Sequence, residues 1–466
     1  MEIKNLPGLR LNGFPSLSES AFLRYLTFSA LYVAQGIPHG LLWFGLPAWM
    51  AMNGVSAAEI GVFVAIIGIP WSFKILAAPV MDRFTYLVMG RRRPWIIFGQ
   101  FGLMISFFLM ALIPDPLNHL TLLATAGFMI NLFTIFQDIA VDGLAIDIVP
   151  DNQQARANGL MWGSKTLGKS ATVAGAIYII NNYSFFYAIT LMSLMILLIM
   201  VIPVIFRERA GEKITPWSNG AISEINEKLQ VHSWKAILKS LFQVFFLPVS
   251  LLMGIAAFSF SVGRGLIDTL LPVFTVQELG WADSGYSQVF AYANLASGIL
   301  GMFVAGAMID FLGKIRMITI YIILLAGIII AMSFFKAYWQ QEAFTIGFIF
   351  AYYILETFLV IAVFATAMQL CWKRISATQF TLFMAISNLG HSLGAALLGP
   401  LKEYLNWEYV ILSFVFFALI MLIIVRFIHF DNHLARVNKL ENIQLAKDEK
   451  SLIIIPVELE KKNLQG

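Results

Sequence analysis

The sequence predicts an all-α membrane protein with twelve transmembrane helices in two six-helix halves. Of its 466 residues, 59% are hydrophobic and only 12% are charged, whereas a soluble domain carries about twice that charged share. Apolar runs of about 20 residues, each long enough to cross a bilayer of about 30 Å, recur along most of the chain. Weakly similar segments recur in the two halves. We therefore expect one membrane body with short connections.

The helices follow from these apolar runs. The first run is too long for the apolar core of a cleavable signal peptide, so we expect it to insert and remain. Glycine and proline at 36–38 and 263–265 predict local breaks or kinks in the long first and seventh helices. The predicted spans are 22–50, 57–84, 94–114, 119–148, 154–180, 184–206, 242–278, 284–312, 315–336, 341–371, 376–403 and 407–430.

One long connection divides the chain into its two halves. Residues 1–206 form the predicted N-terminal bundle, and residues 241–430 form the C-terminal bundle. The cytoplasmic linker, 207–240, contains a polar stretch and an amphipathic segment near 233–241. The tail, 431–466, is charged, and we expect it to be partly disordered, with an apolar stretch at 452–455 that could pack on another surface.

The distribution of basic residues predicts the orientation. With these spans, 25 of the 31 Lys and Arg residues lie on one side of the membrane. Only Lys336 and Lys402 lie on the other side, and the remaining four lie within spans. Basic residues accumulate on the cytoplasmic side of membrane proteins. We therefore predict that both termini are cytoplasmic and that the number of helices is even.

Three pairs of segments indicate that the two halves are repeats. Gly, Leu, Leu and Pro recur in the same frame in 40–47 and 265–272, and 166–170 matches 388–392. The third pair places an acid at the end of the second and eighth helices, Asp82 and Asp310, before Gly and basic residues. Matches in the same order support a duplicated six-helix unit, which is how transporters of the major facilitator type are built.

The third pair also resembles the loop motif of that superfamily. A carboxylate near a helix end can hold the opposite half by charge pairing while the inside is closed, so we predict a gating latch. The alternative is that the basic residues only set the topology. The predicted latch consists of Asp82, Arg83, Arg91, Arg92, Arg93 and Asp310.

Eight of the ionisable residues within the predicted spans form the informative set. Such side chains cost several kcal/mol in hydrocarbon and normally face a cavity or a partner. At 1.5 Å per residue, Lys74, Asp138 and Lys165 lie about 12 to 16 Å inside the membrane and so share a level. The full set is Lys74, Asp138, Asp142, Lys165, Lys169, Arg264, Asp268 and Glu356.

Two hypotheses compete for this set. In the first, acids and bases pair only to hold the helices together. In the second, the acids carry protons and the bases bind an anionic substrate. Asp138 and Asp142 are four residues apart and share a helix face, which favours a raised pKa for one of them. We predict proton coupling by Asp138, Asp142, Glu356 and Asp268, and substrate binding by Lys74, Lys165, Lys169 and Arg264.

Polar and aromatic residues complete the predicted cavity. Each of them could instead pack or form an interhelical hydrogen bond. The repeat aligns His39 with Arg264 and His391 with Lys169, which makes these histidines candidates for a proton relay. The substrate-binding candidates of this kind are Trp43, Trp71, Gln137, His39, Asn388 and His391, and the wider set adds Tyr32, Gln35, Asn131 and Asn294.

Two stretches resemble a specific family. Residues 73–84 with 90–94, and residues 137–150, look like the AmpG muropeptide permeases and the related acetyl-CoA transporters. The resemblance implies the major facilitator fold and proton-driven uptake of a bulky polar or anionic solute. It assigns the paired acids of the fourth helix to Asp138 and Asp142, and the lysine of the second helix to Lys74.

These observations predict a proton-coupled permease of the bacterial inner membrane that imports peptidoglycan fragments. The alternatives are a siderophore or acyl-CoA-type solute, a non-transporting membrane sensor, or an intramembrane aspartyl protease using Asp142 and Asp268, for which the Gly-x-Gly-Asp segment is missing. The partners we expect are a small solute, protons and lipid, with no nucleic acid, and we expect a monomer. The single Cys371 and six scattered histidines predict no disulfide, metal site or cofactor.

Overall fold

Helices account for most of residues 16–443, the part of the chain that the computed structural model describes, with residues 56, 232 and 282 left out. No β-strand occurs in that part of the chain. Long apolar segments favour this outcome, because an α-helix satisfies all its backbone hydrogen bonds internally where no water can do so. The predicted all-α class is therefore confirmed.

Twelve long helices form the membrane body, six in residues 16–205, the first half, and six in residues 248–425, the second half. In the first half they are Ala21–Gly40 with Leu41–Gly45 and Leu46–Met52; Ala57–Ser72 with Lys74–Arg83; Arg93–Ala111; Leu120–Ile148; Gln154–Asn182; and Phe185–Ile205. In the second half they are Pro248–Gln277; Asp283–Leu300 with Gly301–Ala305 and Gly306–Leu312; Lys314–Phe334; Glu342–Gln369; Ser376–Tyr404; and Trp407–Leu412 with Phe414–Val425.

Judged on the described residues alone, nine of these helices are long and apolar enough to cross a membrane by length and composition. The first, second and fifth helices are the other three. The fifth helix is less apolar because it carries polar and small residues, among them Lys165 and Lys169. The second helix is also divided at Phe73, directly before Lys74.

The connection between the halves contains two short helices, Glu224–Leu229 and Trp234–Phe245. We call the side of the bundle that holds this connection the linker side, and the opposite side the far side. Residues 430–443 are also helical, although we expected this part of the tail to be partly disordered. Val437 of this tail helix packs with Val231 and Ile237 of the linker, and this contact explains why the segment is helical. The apolar stretch at 452–455 lies outside the described residues.

The two halves meet along two pairs of contacts. The fifth helix packs against the eighth and tenth helices, and the eleventh helix packs against the fourth helix and the Lys74–Arg83 segment of the second. Glycine permits the first contact: a Cβ atom on Gly163 would lie 2.5 Å from the Gly298 carbonyl oxygen. The fifth and eighth helices therefore touch backbone to backbone.

The seventh helix runs without interruption through Gly263 and Gly265, although the sequence predicted a break there. A Cβ atom on Gly265 would lie 2.0 Å from the His391 carbonyl oxygen. This glycine therefore allows the seventh and eleventh helices to approach each other. The first helix does change its geometry just beyond Pro38, where Leu41–Gly45 forms a π-helical turn.

The buried apolar residues are divided unequally between the two sides. One cluster runs from the linker side of the first half into the second half, through residues such as Ile139, Met161 and Phe364. On the far side, the first half has a cluster of its own that includes Phe63 and Phe107. The apolar core is therefore shared between the halves mainly on the linker side.

Candidate functional site

Two buried carboxylates and two buried guanidinium groups meet on the linker side. Asp82 Oδ1 accepts hydrogen bonds from Arg91 Nη2 at 3.2 Å and from Arg92 Nη2 at 2.6 Å. Asp147 Oδ2, at the end of the fourth helix, accepts from Arg91 Nη1 at 3.3 Å and from Arg92 Nε at 3.1 Å. Each charge is compensated, which is the condition under which charged groups tolerate burial. Sequence analysis missed Asp147, although it is the third acid of the 137–150 motif.

The same arginines reach the second half. Arg91 donates to the carbonyl oxygen of Lys373 at 2.6 Å and to that of Arg374. Arg92 Nη2 donates to Ser376 Oγ at 2.9 Å. These acceptors lie between the tenth and eleventh helices and at the start of the eleventh, so the network joins the two halves. Sequence analysis did not find them, because carbonyl and hydroxyl acceptors leave no charge pattern.

Asp82 and Asp310 occupy equivalent places in the two halves. The Thr378 backbone N–H and hydroxyl donate to Asp82 Oδ2 at 2.9 and 2.6 Å. The backbone N–H groups of Ala155 and Arg156 donate to Asp310 at 3.2 and 3.1 Å. Each carboxylate thus lies at the N-terminus of a helix of the other half, where the helix dipole favours negative charge.

Two residues of the predicted latch, Arg83 and Arg93, have no hydrogen bond or ion pair with the second half among the described residues. Arg83 stacks on Phe84 and Trp234 instead. Arg93 is buried and donates to backbone carbonyls of its own half and of the linker. Its acceptors are Pro203, Val204, Lys213 and Ile214.

The linker supplies two carboxylates that sequence analysis did not assign. Glu208 is buried and accepts hydrogen bonds from the backbone N–H groups of Arg91 and Arg92, at 2.9 and 2.6 Å, and from that of Arg93. Burial raises the pKa of Glu208. Burial, and then the negative charge of Glu208, raise the pKa of Glu212 to about 8.

Deeper in the first half, two lysines share one carboxylate. Lys74 Nζ forms a buried ion pair and hydrogen bond with Asp138 Oδ2. Lys165 Nζ lies 3.9 Å from the other oxygen, Asp138 Oδ1. Lys74 also lies 3.3 Å from the sulfur of Met384, on the eleventh helix. This cluster therefore lies against the second half.

Asp142 has a different environment from Asp138. Its Oδ1 atom accepts a hydrogen bond from the Tyr32 hydroxyl. Its Oδ2 atom has no hydrogen-bond donor among the described residues. The basic residues near the end of this helix do not pair with Asp142. Arg91 pairs with Asp82, and Arg92 pairs with Asp147.

Three aromatic rings surround Lys165. Its Nζ atom lies 5.3 Å from the centroid of Trp162, 5.7 Å from that of Trp71 and 5.8 Å from that of Tyr32. Such faces stabilise a cation within about 6 Å. Trp71 was expected in the site, whereas Trp162 was missed because one tryptophan in an apolar helix gives no distinctive pattern.

A cavity of about 170 Å³ lies between the halves. The first and fifth helices line it on one side, and the seventh, eighth and tenth on the other. Lys165 and Arg264 therefore face the same space from opposite halves. The lining residues are His39, Trp162, Lys165, Thr166, Lys169, Arg264, Asn294, Glu356, Thr357 and Val360.

Lys169 is distinctive among the cations of this cavity. No carboxylate of the described residues lies within 4.0 Å of its amino group. Its Nζ atom lies instead 5.6 Å from the ring centroid of Phe44 and 5.9 Å from that of Phe290. It is therefore available to an anion that enters the cavity.

The second half contributes a cluster centred on Arg264. Its Nε atom lies 2.6 Å from Glu356 Oε1 and 3.5 Å from Asp268 Oδ2. Asp268 also contacts His391 Nε2 at 3.1 Å and accepts a hydrogen bond from the Tyr352 hydroxyl at 3.2 Å. Sequence analysis named four of these residues as candidates, and the structure brings them together: Arg264, Glu356, Asp268 and His391.

Six predicted substrate-binding residues do not line this cavity: Lys74, Trp71 and His391, which belong to the neighbouring clusters, and Gln137, Asn388 and Trp43. Gln137 is fully buried, and its amide donates to the Leu31 carbonyl oxygen at 2.8 Å, so it links the fourth and first helices. Asn388 is exposed elsewhere on the eleventh helix. Trp43 packs beside His39, with ring centroids 6.3 Å apart.

Comparison with known proteins agrees with this architecture. The family model described as Major Facilitator Superfamily matches residues 28–395. A putative transporter AmpG 4 of Rickettsia conorii is 24% identical over 420 residues, covering 86% of this chain and 95% of the relative. An anhydromuropeptide permease of Escherichia coli K12 is 24% identical over 390 residues, covering 84% and 75%.

Two solved structures share the fold at low sequence identity. The major facilitator transporter FucP, in the outward conformation, has a TM-score of 0.66 at 12% identity, covering 87% of this chain and 98% of FucP. A bacterial homologue of the iron transporter ferroportin, in the outward-facing state, has a TM-score of 0.62 at 13% identity, with the same coverage. The chain belongs to the Major Facilitator Superfamily and is a multi-pass membrane transporter.

Proposed function

We propose that this transporter is a proton-coupled permease that imports a bulky anionic solute, a peptidoglycan fragment of the anhydro-muropeptide type, across the bacterial inner membrane. The observation that carries the proposal is the cationic lining of the central cavity, to which Lys165, Lys169 and Arg264 contribute. Charge-assisted hydrogen bonds to carboxylates are among the strongest that proteins make. The names of the Rickettsia and Escherichia relatives support the choice of solute.

Lys169 is the proposed first contact for a carboxylate of the solute. It faces the cavity without a carboxylate partner within 4.0 Å among the described residues, so a bound anion displaces no ion pair. Arg264 holds Glu356 and Asp268 until the solute arrives. The rings of Trp162 and Phe290 offer surfaces against which sugar rings can pack.

The size of the cavity implies that the halves must separate during transport. About 170 Å³ is smaller than the roughly 300–1,000 Å³ of most ligand pockets. The halves are joined by hydrogen bonds on the linker side. We therefore propose that the solute enters from the far side, and that release requires the Asp82 and Asp310 contacts to break.

Asp142 is the proposed proton carrier, and Asp138 is the proposed anchor of the lysines. Asp138 forms ion pairs with Lys74 and Lys165, whereas Asp142 has a tyrosine donor and no ion pair within 4.0 Å among the described residues. A proton on Asp142 would remove its negative charge, so that Asp138 would be the one carboxylate left beside Lys74 and Lys165. The solute's carboxylate can then compete for Lys165.

Orientation follows from the basic residues. Of the 31 Lys and Arg residues, 25 fall on the linker side of the predicted spans, which supports a cytoplasmic location for that side and both termini. A single chain contains both halves and the cavity between them, so we propose a monomer. Asp142 and Asp268 belong to separate clusters, which argues against a catalytic aspartate dyad.

Vesicle uptake tests the proposal. Purified full-length protein in proteoliposomes should accumulate a radiolabelled anhydro-muropeptide when the interior is made alkaline, and a protonophore should abolish the accumulation. Empty liposomes provide the control. Accumulation of acetyl-CoA or a ferric siderophore, but not of the muropeptide, would show that the proposed solute is wrong. Binding without accumulation under any gradient would instead favour a sensor.

A further inference from the structure

The linker-side helix Trp234–Phe245, with Phe246 directly after it, presents an apolar stripe that stays largely exposed among the described residues. Trp234, Leu238, Phe242 and Phe246 recur every fourth residue, and their exposed fractions are 39%, 49%, 60% and 59%. The opposite face is buried: Ile237 packs in a cluster with residues of the second half. A contiguous apolar patch of this size on a membrane protein faces lipid or a partner.

The charges beside this stripe are all positive. Between residues 231 and 247 there are two lysines, Lys235 and Lys239, and no acid. Both lysines are exposed on the same helix. A helix with an apolar face and flanking lysines is typical of segments that lie in the plane of a membrane surface and prefer anionic lipids.

A polar cavity adjoins the helix. It measures about 260 Å³ and is lined by Arg83, Phe84, Thr85 and Gln230. The Arg83 guanidinium carbon lies 4.8 Å from the centroid of the Trp234 ring, which connects the cavity to the apolar stripe. The Thr85 hydroxyl is buried and has no hydrogen-bond partner among the described residues.

Arg83 supplies the charge of this cavity. No carboxylate of the described residues lies within 4.0 Å of its guanidinium group, in contrast to Arg91 and Arg92. A guanidinium, a hydroxyl and an amide around a small cavity suit the oxygen atoms of a phosphodiester. The neighbouring stripe suits the acyl chains of the same molecule.

We propose that Arg83, Thr85, Gln230 and the Trp234–Phe245 helix form a binding site for the headgroup of an anionic phospholipid in the linker-side leaflet. The phosphodiester occupies the cavity at Arg83, and Lys235 and Lys239 attract the negatively charged surface. The helix contacts both the Lys74–Arg83 segment and residues 373–375. The helix that borders the lipid site therefore contacts both halves, and Arg83 directly follows Asp82 in the chain.

Native mass spectrometry of the full-length protein tests this site. The unmodified protein should retain dioleoylphosphatidylglycerol in preference to dioleoylphosphatidylcholine. Each basic residue near an anionic surface contributes about 1 kcal/mol, which corresponds to about fivefold in affinity. Arg83→Gln should therefore weaken phosphatidylglycerol binding about fivefold. Lys235→Gln/Lys239→Gln should weaken it about fivefold for each charge removed. Arg83→Lys and Lys235→Arg/Lys239→Arg should keep the preference.

The matched control is Arg316→Gln/Arg426→Gln, which removes two exposed charges at the linker-side ends of the ninth and twelfth helices. This control should bind phosphatidylglycerol like the unmodified protein. Equal loss in the control and the helix variant would overturn the proposal, as would equal retention of the two lipids. Displacement of phosphatidylglycerol by excess inorganic phosphate would also overturn it, because the site would then be one for a soluble anion.

Discussion

The charge cluster of the first half and that of the second half differ in their access to the central cavity. In the first, Lys74 and Asp138 have side chains that are only 6% and 1% exposed. In the second, the side chains of Arg264 and His391 are 30% and 37% exposed. Charges without water must remain paired or become neutral, whereas charges at a cavity can exchange partners.

This difference suggests a division of labour. We propose that the enclosed cluster responds to a proton, because protonation is the way in which a buried carboxylate group changes its charge. The open cluster, with Lys169, responds to the solute, because an anion can replace Glu356 or Asp268 beside Arg264. The predictions below test this division, beginning with the largest expected effect.

Asp138→Asn should destabilise the protein most, because Lys74 would remain buried without its carboxylate. Breaking a buried pair costs about 3–5 kcal/mol. Glu356→Gln should cost about 1 kcal/mol or less, because the Arg264 side chain reaches the cavity and has Asp268 nearby. Thermal unfolding in detergent measures both, and Lys74→Gln/Asp138→Asn should recover part of the loss. Equal costs for the two single variants would contradict the comparison.

Lys169→Gln should weaken solute binding about tenfold, the value of a charge-assisted hydrogen bond of roughly 1.5 kcal/mol. Expression and unfolding temperature should stay near those of the unmodified protein, because no ion pair among the described residues is lost. The measurement is the KM of uptake in proteoliposomes. Lys336→Gln, which alters an exposed far-side lysine paired with Glu408, is the control. An unchanged KM would remove Lys169 from the binding site.

Asp82→Asn should open the linker side more than Asp310→Asn does. Asp82 binds two arginines and Thr378, whereas Asp310 binds two backbone N–H groups and the largely exposed Arg156. Buried Cys371, the chain's single cysteine, adjoins this network and reports the opening. Maleimide labelling in detergent should accelerate several-fold in Asp82→Asn. Equal rates for both variants would mean that the two contacts are equivalent.

Glu212 provides the smallest effect, from a buried carboxyl group outside the membrane. Its pKa is raised from 4.5 to about 8, so the folded protein holds a proton that the unfolded chain releases between those values. Stability should therefore fall as the pH rises from about 6 to about 8. The unfolding temperature should fall by a few degrees. Glu212→Gln should flatten this dependence, whereas the exposed Glu224→Gln should leave it unchanged.

Sequence analysis predicted the helices and the charged residues better than their partners. Hydropathy located the spans because each helix must be apolar to cross the membrane. Arg264 and Asp268, both named as candidates, are four residues apart on one helix and their side chains are in contact. A break or kink was expected at Gly263 and Gly265; the seventh helix has no break there, and Gly265 serves helix packing.

Contacts between distant segments could not be predicted. Arg91 binds carbonyl oxygens almost 300 residues away, and Glu208 caps the chain between the second and third helices. Backbone acceptors carry no side-chain signature, and a glutamate in a polar linker resembles any solvated acid. Arg83 was assigned to the latch because it follows Asp82, but its side chain turns toward Trp234.

The most direct test of the division of labour compares two modes of transport in Asp142→Asn. Uphill uptake of the labelled muropeptide under an imposed pH gradient needs a group that gains and loses a proton, and asparagine cannot do so. Counterflow needs only solute exchange, and the cavity residues Lys169 and Arg264 are unchanged. We predict that Asp142→Asn loses pH-driven accumulation and keeps counterflow. Accumulation at the unmodified level would show that the coupling proton binds elsewhere, with Glu356 and Asp268 as the next candidates.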